Sequence, residues 1–287
     1  MRWLPAVPDS APGISILILT LNEEVNIEGV LDSVAGFDDI VVLDSLSSDR
    51  TVELARSRGA RVVQRPFDNW AAHHNWALAE IDFQHPWIFY LDADERMTPA
   101  LEEEIRAIAA DLHEERVGFY CGAANYFLGR LISRAYPPVP ILRFYKPPWV
   151  TYRRLVNPTT HVAGPVGQLH NRFLHFTFSK GLTEWLAKHN RYSQAEAIEA
   201  LTSRERDTLG LRDCVDSNPA TRRAALKRLA WRLPFRPQLK FLWLYVICRG
   251  FLDGWPGYVY CRLQATYEYF IDLKIKEIHL ARQGRRM

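Results

Sequence analysis

The sequence of 287 residues contains few cysteines, and their spacing fits neither a metal-binding motif nor a disulfide scaffold. The four cysteines lie far apart, and no two of them form a CxxC pair. They are Cys121, Cys214, Cys248 and Cys261. Zinc ribbons and small disulfide-rich domains both need closely spaced cysteines. Both classes are therefore excluded, and a reducing compartment is expected.

A long apolar run is also missing. The longest candidate, Phe241 to Leu252, is short and interrupted by Arg249, whereas a membrane-spanning helix needs about 18 apolar residues. The first ten residues contain one arginine, two prolines and no apolar core, which is not the pattern of a signal peptide. We therefore expect a protein that stays in the cytosol or lies on a membrane face.

The chain has no large net charge, but its charge is unevenly distributed. The 36 basic and 33 acidic residues give a formal charge of +3, which gives no indication of nucleic-acid binding. Residues 1–221 contain 22 basic and 29 acidic groups, or −7, whereas residues 222–287 contain 14 and 4, or +10. An acidic body is thus followed by a basic end.

Short apolar runs alternate with stretches of helical spacing over the first third of the chain. Strands are predicted at 14–20, 40–43, 61–64 and 87–91, and helices at 22–35, at 51–58 and from Thr98-Pro99 onward. Such alternation predicts an α/β fold with a parallel sheet and right-handed crossovers. A further helix is predicted over Leu182 to Asp207.

Three polar clusters follow predicted strands directly: Thr20 to Glu24, Asp44 to Asp49, and Asp92 to Glu95. In such sheets ligands bind outside the carboxyl ends of the strands. The carboxylates of Asp92 and Asp94 can turn toward one Mg²⁺ or Mn²⁺ ion, with a substrate diphosphate completing the oxygen shell. The alternatives are a solvated acidic turn for this pair and a turn-capping role for Asp44.

These clusters and the strands before them resemble the family 2 glycosyltransferases with the GT-A fold. The segments are Ile16 to Glu24, Val42 to Thr51 and Tyr90 to Glu95, and the resemblance covers roughly the first 130 residues. It implies a Rossmann-like, mainly parallel sheet with flanking helices. It also implies inverting transfer of a sugar from a nucleotide donor, usually a UDP-sugar, with Mg²⁺ or Mn²⁺ as cofactor.

The resemblance assigns roles to individual positions. Residues Thr20, Asn22, Glu23 and Asp44 would hold the nucleoside, and Asn75 would face the donor from a helix. Asp92 would lie near the ribose or the metal, and Asp94 would bind the metal. The segments Leu174 to Phe178 and Trp185 to Ser193 resemble the bacterial lipopolysaccharide-core and exopolysaccharide branch. There His175 would be a further metal ligand, and Lys188 or, better, the forked Arg191 would meet the diphosphate.

The sequence departs from the family pattern in two places near the donor site. Leu46 stands where the second motif usually has glycine, so the turn has to form without glycine's freedom at positive φ. His73 and His74 precede Asn75, where the family often has arginine or lysine. Neither departure removes a carboxylate of the predicted site.

The predicted site lacks the family's usual general base. The related branch places a glutamate before a Gly-Pro-Val-Gly segment, but Val156 to Gly167 contains no glutamate. His161 is the nearest titratable replacement, and its alternative role is that of a hydrogen-bonded loop residue. Two alternatives follow for the whole protein: a polyprenyl-phosphate glycosyltransferase, whose ionised acceptor needs no base, or a catalytically degenerate nucleotide-sugar binder.

The C-terminal part is basic and aromatic. Residues 222–262 contain nine Lys or Arg and one acid, Asp253, with aromatic residues interleaved. This pattern suits an amphipathic helix in the interface of an anionic membrane; the alternative is a helix that packs on the catalytic domain. Gly250 to Tyr258 and Ala265 to Phe270 resemble the C-terminal region of the same branch, which implies a lipid-linked saccharide acceptor.

We therefore predict a GT-A catalytic domain over residues 12–220 and a membrane-associating helical region over 221–287. A nucleotidyltransferase is disfavoured because it normally needs a Gly-rich loop after the first strand, and Thr20 to Asn26 contains no glycine. No nucleic-acid partner is expected. The predicted location is cytoplasmic and peripheral, on the inner face of the cytoplasmic membrane.

Overall fold

The structure is a computed structural model that describes residues 13–153, 159–205 and 235–285. It divides into two compact units. The first unit comprises Met1–Tyr126 and Pro138–Ser179, and the second comprises Phe127–Pro137 and Lys180–Met287. The predicted boundary at residue 220 lies outside the described residues, and so do residues 222–234 of the predicted basic region.

The first unit is built around a mixed sheet. The strands are β1 Ile14–Thr20, β2 Asp39–Asp44, β3 Arg61–Gln64, β4 Trp87–Asp92, β5 Glu95–Arg96, β6 Gly118–Phe127, β7 Arg130–Leu131, β8 Ile141–Tyr145, β9 Val150–Arg153, β10 Thr159–Val162 and β11 Val166–His175. Eight of them pair side by side in the order β3-β2-β1-β4-β8-β6-β11-β5, and β7 is the ninth strand of this sheet. Strands β9 and β10 form a separate antiparallel pair.

The half of the sheet formed by β3, β2, β1 and β4 is parallel throughout. All seven residues of β1 are buried, as expected for a strand covered on both faces. Strand β8 runs antiparallel to β4 and β6, whereas β11 is parallel to β6. The predicted α/β class with a mainly parallel sheet and flanking helices is thus confirmed.

The described residues of the first unit form four α-helices, α1 Ile27–Ser33, α2 Thr51–Ser57, α3 Trp70–Glu80 and α4 Pro99–Ala110, and a 3₁₀ helix, Pro147–Trp149. Helix α4 begins as predicted, because the Thr98 hydroxyl accepts a hydrogen bond from the Leu101 N–H and Pro99 occupies the first turn. Helix α1 begins five residues later than predicted. Residues 21–26 form the loop after β1, in which Asn22 has a φ of 54°.

The described part of the second unit is helical, apart from the short β7. Its elements are α5 Gly181–Glu205, α6 Arg236–Leu242, a π-helix Trp243–Ile247, a 3₁₀ helix Gly250–Asp253 and α7 Gly254–Arg282. Ala197 and Ala200 of α5 pack with Ile271 and Ile275 of α7. Arg236 anchors α6 on α7 through ion pairs with Glu268 and Asp272. None of the described helices is both long and apolar enough to cross a membrane.

A buried aspartate ties the strands together at the edge opposite the predicted site. The Asp39 carboxylate accepts hydrogen bonds from the Ser15 hydroxyl on β1, the Gln84 N–H before β4 and the Arg61 guanidinium on β3. Burial acts to raise the pKa of Asp39, but these three partners favour the charged form more strongly and lower it. Asp39 therefore joins three strands and the loop before the fourth.

We expect Asp39→Asn to lower the free energy of unfolding by about 1.5–3 kcal/mol, the usual contribution of hydrogen bonds to a charged group. Because the folded-state pKa is depressed, this contribution is present above about pH 4 and is lost as the pH falls through the folded value. Urea unfolding over a range of pH values measures both effects.

The matched control is Asp38→Asn, since the Asp38 side chain is 75% exposed and pairs only with His85. Its effect should stay within about 0.5 kcal/mol. Equal losses for the two variants would show that the buried network of Asp39 does not hold the strands together.

Candidate active site

The sheet brings the first residues of the predicted site to one edge. In the parallel register Thr20 lies opposite Asp44, and Leu19 lies opposite Asp92. The carboxyl ends of β1, β2 and β4 are therefore neighbours, as the sequence predicts. The side chains that follow these three strands form what we call the strand-end site.

Asp44 organises the loop after β2. Its buried carboxylate accepts hydrogen bonds from the Thr20 hydroxyl at 2.9 Å, the Ser47 N–H at 2.9 Å and the Gln64 amide at 3.1 Å, and also from the Ser47 hydroxyl. These bonds fit the turn-capping alternative for Asp44. Leu46 makes this turn with a φ of 62°, in the region that the missing glycine would favour.

The loops after β1 and β2 hold each other. The Asn22 side-chain oxygen accepts a hydrogen bond from the Ser48 N–H at 2.8 Å, and the Asn22 N–H donates to the Ser47 hydroxyl. The Glu23 N–H donates to the Thr51 hydroxyl at 2.7 Å. Thr20, Asn22, Glu23 and Asp44 are therefore brought together, as expected for residues that share a ligand. Their contact with a nucleoside stays a prediction.

A buried arginine lies beneath the Asp92–Glu95 turn. The Arg143 guanidinium on β8 donates to Glu95 at 2.6 Å and to Asp92 at 3.1 Å. Only 2% of its side chain is exposed. The Tyr90 hydroxyl donates to the other Asp92 oxygen, and the Glu95 carboxylate accepts the Asp92 N–H. We call these four residues the buried ion cluster.

The buried ion cluster pairs one cation with two carboxylates. Burial acts to raise the pKa of Asp92, but Arg143 and the Tyr90 hydroxyl favour the ionised form and lower it. Burial raises the pKa of Glu95 well above its usual value, although Arg143 opposes this shift. Burial acts to lower the pKa of Arg143, but the two carboxylates raise it instead. Arg143 is therefore charged and holds Asp92 ionised.

Asp94 and His175 face each other at the surface of this turn. Strand β5 pairs with β11 so that Glu95 lies opposite His175, and the His175 Nε2 lies 3.5 Å from an Asp94 carboxylate oxygen. The His175 Nδ1 lies 3.1 Å from the Asn125 side-chain oxygen. Burial acts to lower the pKa of His175, but the hydrogen bond and charge of Asp94, with Glu95 and Asp92, raise it overall.

This pair fits a divalent cation. One carboxylate oxygen and one imidazole nitrogen converge, both side chains are partly exposed, and such a mixed donor set suits Mn²⁺ or Mg²⁺ when substrate oxygens complete the shell. Across the described ranges, no group of three or more His, Cys, Asp or Glu is placed to hold a metal unaided. A metal ion at this pair would therefore have two ligands from the described residues, and substrate and water would have to supply the remainder.

Asn75 is engaged with the protein backbone. Its side-chain amide donates to the Tyr152 carbonyl and accepts from the Tyr152 N–H, both at 2.8 Å, so that it fixes β9 to α3. The neighbouring His74 is buried against the rings of Tyr90 and Tyr152, and burial lowers its pKa to about 4. These residues support the wall of the site, and a contact between Asn75 and a donor stays a prediction.

His161 and Arg191 are described separately, each within its own unit. His161 lies on β10 opposite Thr151 of β9, with its side chain exposed. Among the described residues it makes no side-chain hydrogen bond. Arg191 lies on α5 of the second unit, exposed and 3.7 Å from Glu184. Their predicted roles as general base and diphosphate ligand remain predictions.

Sequence reasoning missed Arg143, on which the geometry of the turn depends. A signal was available, since Arg143 is the only charged residue in the otherwise apolar run Ile141–Tyr145. A charge inside a predicted core strand is rare unless it is paired. Such a residue should be matched with acidic residues at the ends of neighbouring strands.

Comparison with known proteins places this site in a family. A sequence model described as glycosyl transferase family 2 matches residues 15–176. An uncharacterized glycosyltransferase from Rickettsia bellii is 25% identical over 93% of this chain and 87% of its own length. The lipopolysaccharide core biosynthesis glycosyltransferase LpsC from Rhizobium meliloti is 26% identical over 93% of each chain.

A crystal structure of glucosyl-3-phosphoglycerate synthase from Mycobacterium tuberculosis, in complex with Mn²⁺, UDP-glucose and phosphoglyceric acid, is also similar in part. The match covers 40% of this chain and 43% of that one, at 24% identity and a TM-score of 0.31. The family model spans both strand-end loops, the buried ion cluster and His175. The chain therefore belongs to glycosyltransferase family 2, and its sheet is the predicted GT-A fold.

Proposed function

We propose that the protein is an inverting glycosyltransferase that moves a sugar from a UDP-sugar to a lipid-linked saccharide in lipopolysaccharide or other cell-envelope polysaccharide synthesis. The observation that carries the proposal is the facing pair Asp94–His175 beside the crosslinked loops of Asn22 and Asp44. Similarity to LpsC over nearly the whole chain supports the proposed pathway. The proposed location is the inner face of the cytoplasmic membrane.

The predicted site residues would have different roles according to their positions. The loops that hold Thr20, Asn22, Glu23 and Asp44 would bind and orient the nucleoside part of the donor. Asp94 and His175 would hold Mg²⁺ or Mn²⁺, which supplies positive charge against the departing nucleoside diphosphate. Asp92, fixed by Arg143, would orient the ribose, and Arg191 would meet the diphosphate.

An acceptor hydroxyl has to lose a proton during transfer, and we assign His161 as the base. Its imidazole is exposed on β10 and can accept a proton through a ring nitrogen. The lack of a glutamate in Val156 to Gly167 also favours a second candidate, transfer to a polyprenyl phosphate that needs no base. A degenerate binder would retain donor affinity without turnover.

We expect Asp94→Ala to reduce metal-dependent donor turnover at least about 100-fold, and His175→Ala about 10–100-fold, because each removes one of two protein ligands. Release of UDP from a panel of UDP-sugars, titrated with Mn²⁺, measures this loss. Glu103→Ala is the control, since Glu103 is an exposed acid on α4. Unchanged Mn²⁺ dependence in both site variants would refute the metal assignment, and donor binding without any turnover would identify a binder.

His161→Ala separates the two acceptor classes. With a saccharide acceptor we expect kcat to fall about 10²–10⁴-fold, the usual contribution of a general base, whereas transfer to polyprenyl phosphate should be unaffected. Steady-state assays with each acceptor lipid measure this difference. His170→Ala, at a histidine whose side chain is 93% exposed on β11, should leave both activities unchanged. Full activity of His161→Ala on a saccharide lipid would remove His161 as base.

Arg143 is a positioning residue, and Arg143→Lys tests that role. Arginine donates from Nη2 to both carboxylates and from Nη1 to the Tyr90 carbonyl. Lysine keeps the charge, but its single ammonium nitrogen cannot reproduce this fork. We expect a folded variant with Mn²⁺-dependent turnover lowered about 10-fold and an unchanged KM for the donor. The matched control is Arg106→Lys, at an exposed arginine paired with Glu102. Wild-type Mn²⁺ affinity together with a lowered midpoint of urea unfolding would show a purely structural role.

A further inference from the structure

The second unit exposes a large apolar surface. Between residues 235 and 255, six large apolar side chains are each more than half exposed. They are Phe235, Leu242, Trp243, Ile247, Leu252 and Trp255, and we call them the apolar face. Soluble monomers rarely expose contiguous apolar patches of this kind unless the patch binds a partner or a membrane.

The apolar face rests on a packed support. Trp243 and Ile247 lie four residues apart on the π-helix and Leu242 ends the helix before it, whereas Leu244 is buried. The Tyr245 ring lies 6.1 Å from the ring of Phe251 and 5.7 Å from that of Tyr258. These contacts join the π-helix, the 3₁₀ helix and α7. The exposed side chains are therefore presented by an ordered surface.

The charges around this face are positive. Between residues 235 and 262 the only acid is Asp253, and its carboxylate accepts the N–H groups of Arg134 and Ala135. Lys240, Arg249 and Arg262 form no ion pair with a described carboxylate. The fourth basic residue, Arg236, is paired with Glu268 and Asp272. Apolar surface is thus combined with three uncompensated cations.

We propose that the apolar face docks on the anionic surface of a lipid membrane. The rings of Trp243 and Trp255 would enter the boundary between headgroups and acyl chains, and Lys240 and Arg249 would meet lipid phosphates. A second copy of the chain is a poorer occupant, because a two-fold interface sets each patch against itself and would bring like charges together. Docking here deepens the proposed function, since a membrane carries a lipid-linked acceptor. It is supported independently by the exposure of the apolar face and by the positive charges beside it.

This surface differs from the amphipathic helix predicted over residues 222–262. The described part is not one helix. Its exposed apolar side chains come from α6, the π-helix, the 3₁₀ helix and the start of α7. The side chains that would touch lipid therefore all lie within the described residues.

Vesicle flotation of the full chain, without donor or metal, tests the proposal. We expect strong binding to phosphatidylcholine vesicles containing about one-third phosphatidylglycerol, weak binding to pure phosphatidylcholine, and weakening as salt rises from about 0.1 M to about 1 M. Trp243→Ser/Ile247→Ser should reduce binding at least about tenfold through lost apolar burial. Lys240→Glu/Arg249→Glu should reduce binding to the anionic vesicles by a similar factor.

The matched control is Leu112→Ser/Val139→Ser, at two side chains of the first unit that are 70% and 69% exposed; its binding should stay within about twofold of wild type. Circular dichroism verifies that every variant is folded. Undiminished binding by Trp243→Ser/Ile247→Ser would overturn the proposal. Failure of the wild type to bind either vesicle would also overturn the proposal. This holds whether or not the protein forms a dimer that Trp243→Ser/Ile247→Ser dissociates.

Release of UDP from a soluble UDP-sugar, measured on the same variants, separates the two proposals. We expect it to be unchanged when vesicle binding is lost, because none of these residues belongs to the strand-end site. Turnover without vesicle binding by the wild type would refute the docking surface alone. Vesicle binding without turnover would refute the proposed transferase alone.

Discussion

The constraint on which the site depends is the placement of one arginine beneath two carboxylates. A fully buried guanidinium is tolerated only when ionised partners and hydrogen bonds offset its loss of hydration. Asp92 supplies the ionised partner and Glu95 a further hydrogen bond. The ring centroids of Tyr90 and Phe173 lie 4.2 Å and 4.9 Å from the guanidinium carbon. A movement of the turn after β4 would expose the buried charge of Arg143. Asp94, which lies between Asp92 and Glu95 in this turn, is therefore held at the surface.

A second constraint comes from the parallel register of the sheet. Because β1 lies between β2 and β4, the loops that follow β1 and β2 must share one edge with the turn after β4. The hydrogen bonds of Asn22 with Ser47 and Ser48 link the loop after β1 to the loop after β2. The antiparallel pairing of β5 with β11 then brings His175, from a distant part of the chain, to Asp94.

The sequence predicts the parts of this arrangement that depend on the periodicity of apolar residues and on local capping and turn residues. The buried strands, the Thr98 cap and the three strand-end clusters follow from apolar runs and capping residues alone. Helix α3 does not, because its buried side chains are small or histidine: Ala71, His73, His74 and Ala77. The positive φ of Leu46 could be expected only from the family pattern, which usually has glycine at this position. The Arg143 cluster depends on strand order, since β8 lies beside β4 only through an antiparallel return that local periodicity does not encode.

The arginines near the strand-end site are engaged with groups of the protein itself. Arg143 is paired with Glu95 and Asp92, and Arg65 is paired with Asp68. Arg96 donates to the carbonyls of Ala93 and Glu95, which are neutral, so its positive charge is not cancelled. The Asp94 carboxylate itself would repel a diphosphate that approached it. Under the proposed function, a divalent cation on Asp94 and His175 would offset this repulsion.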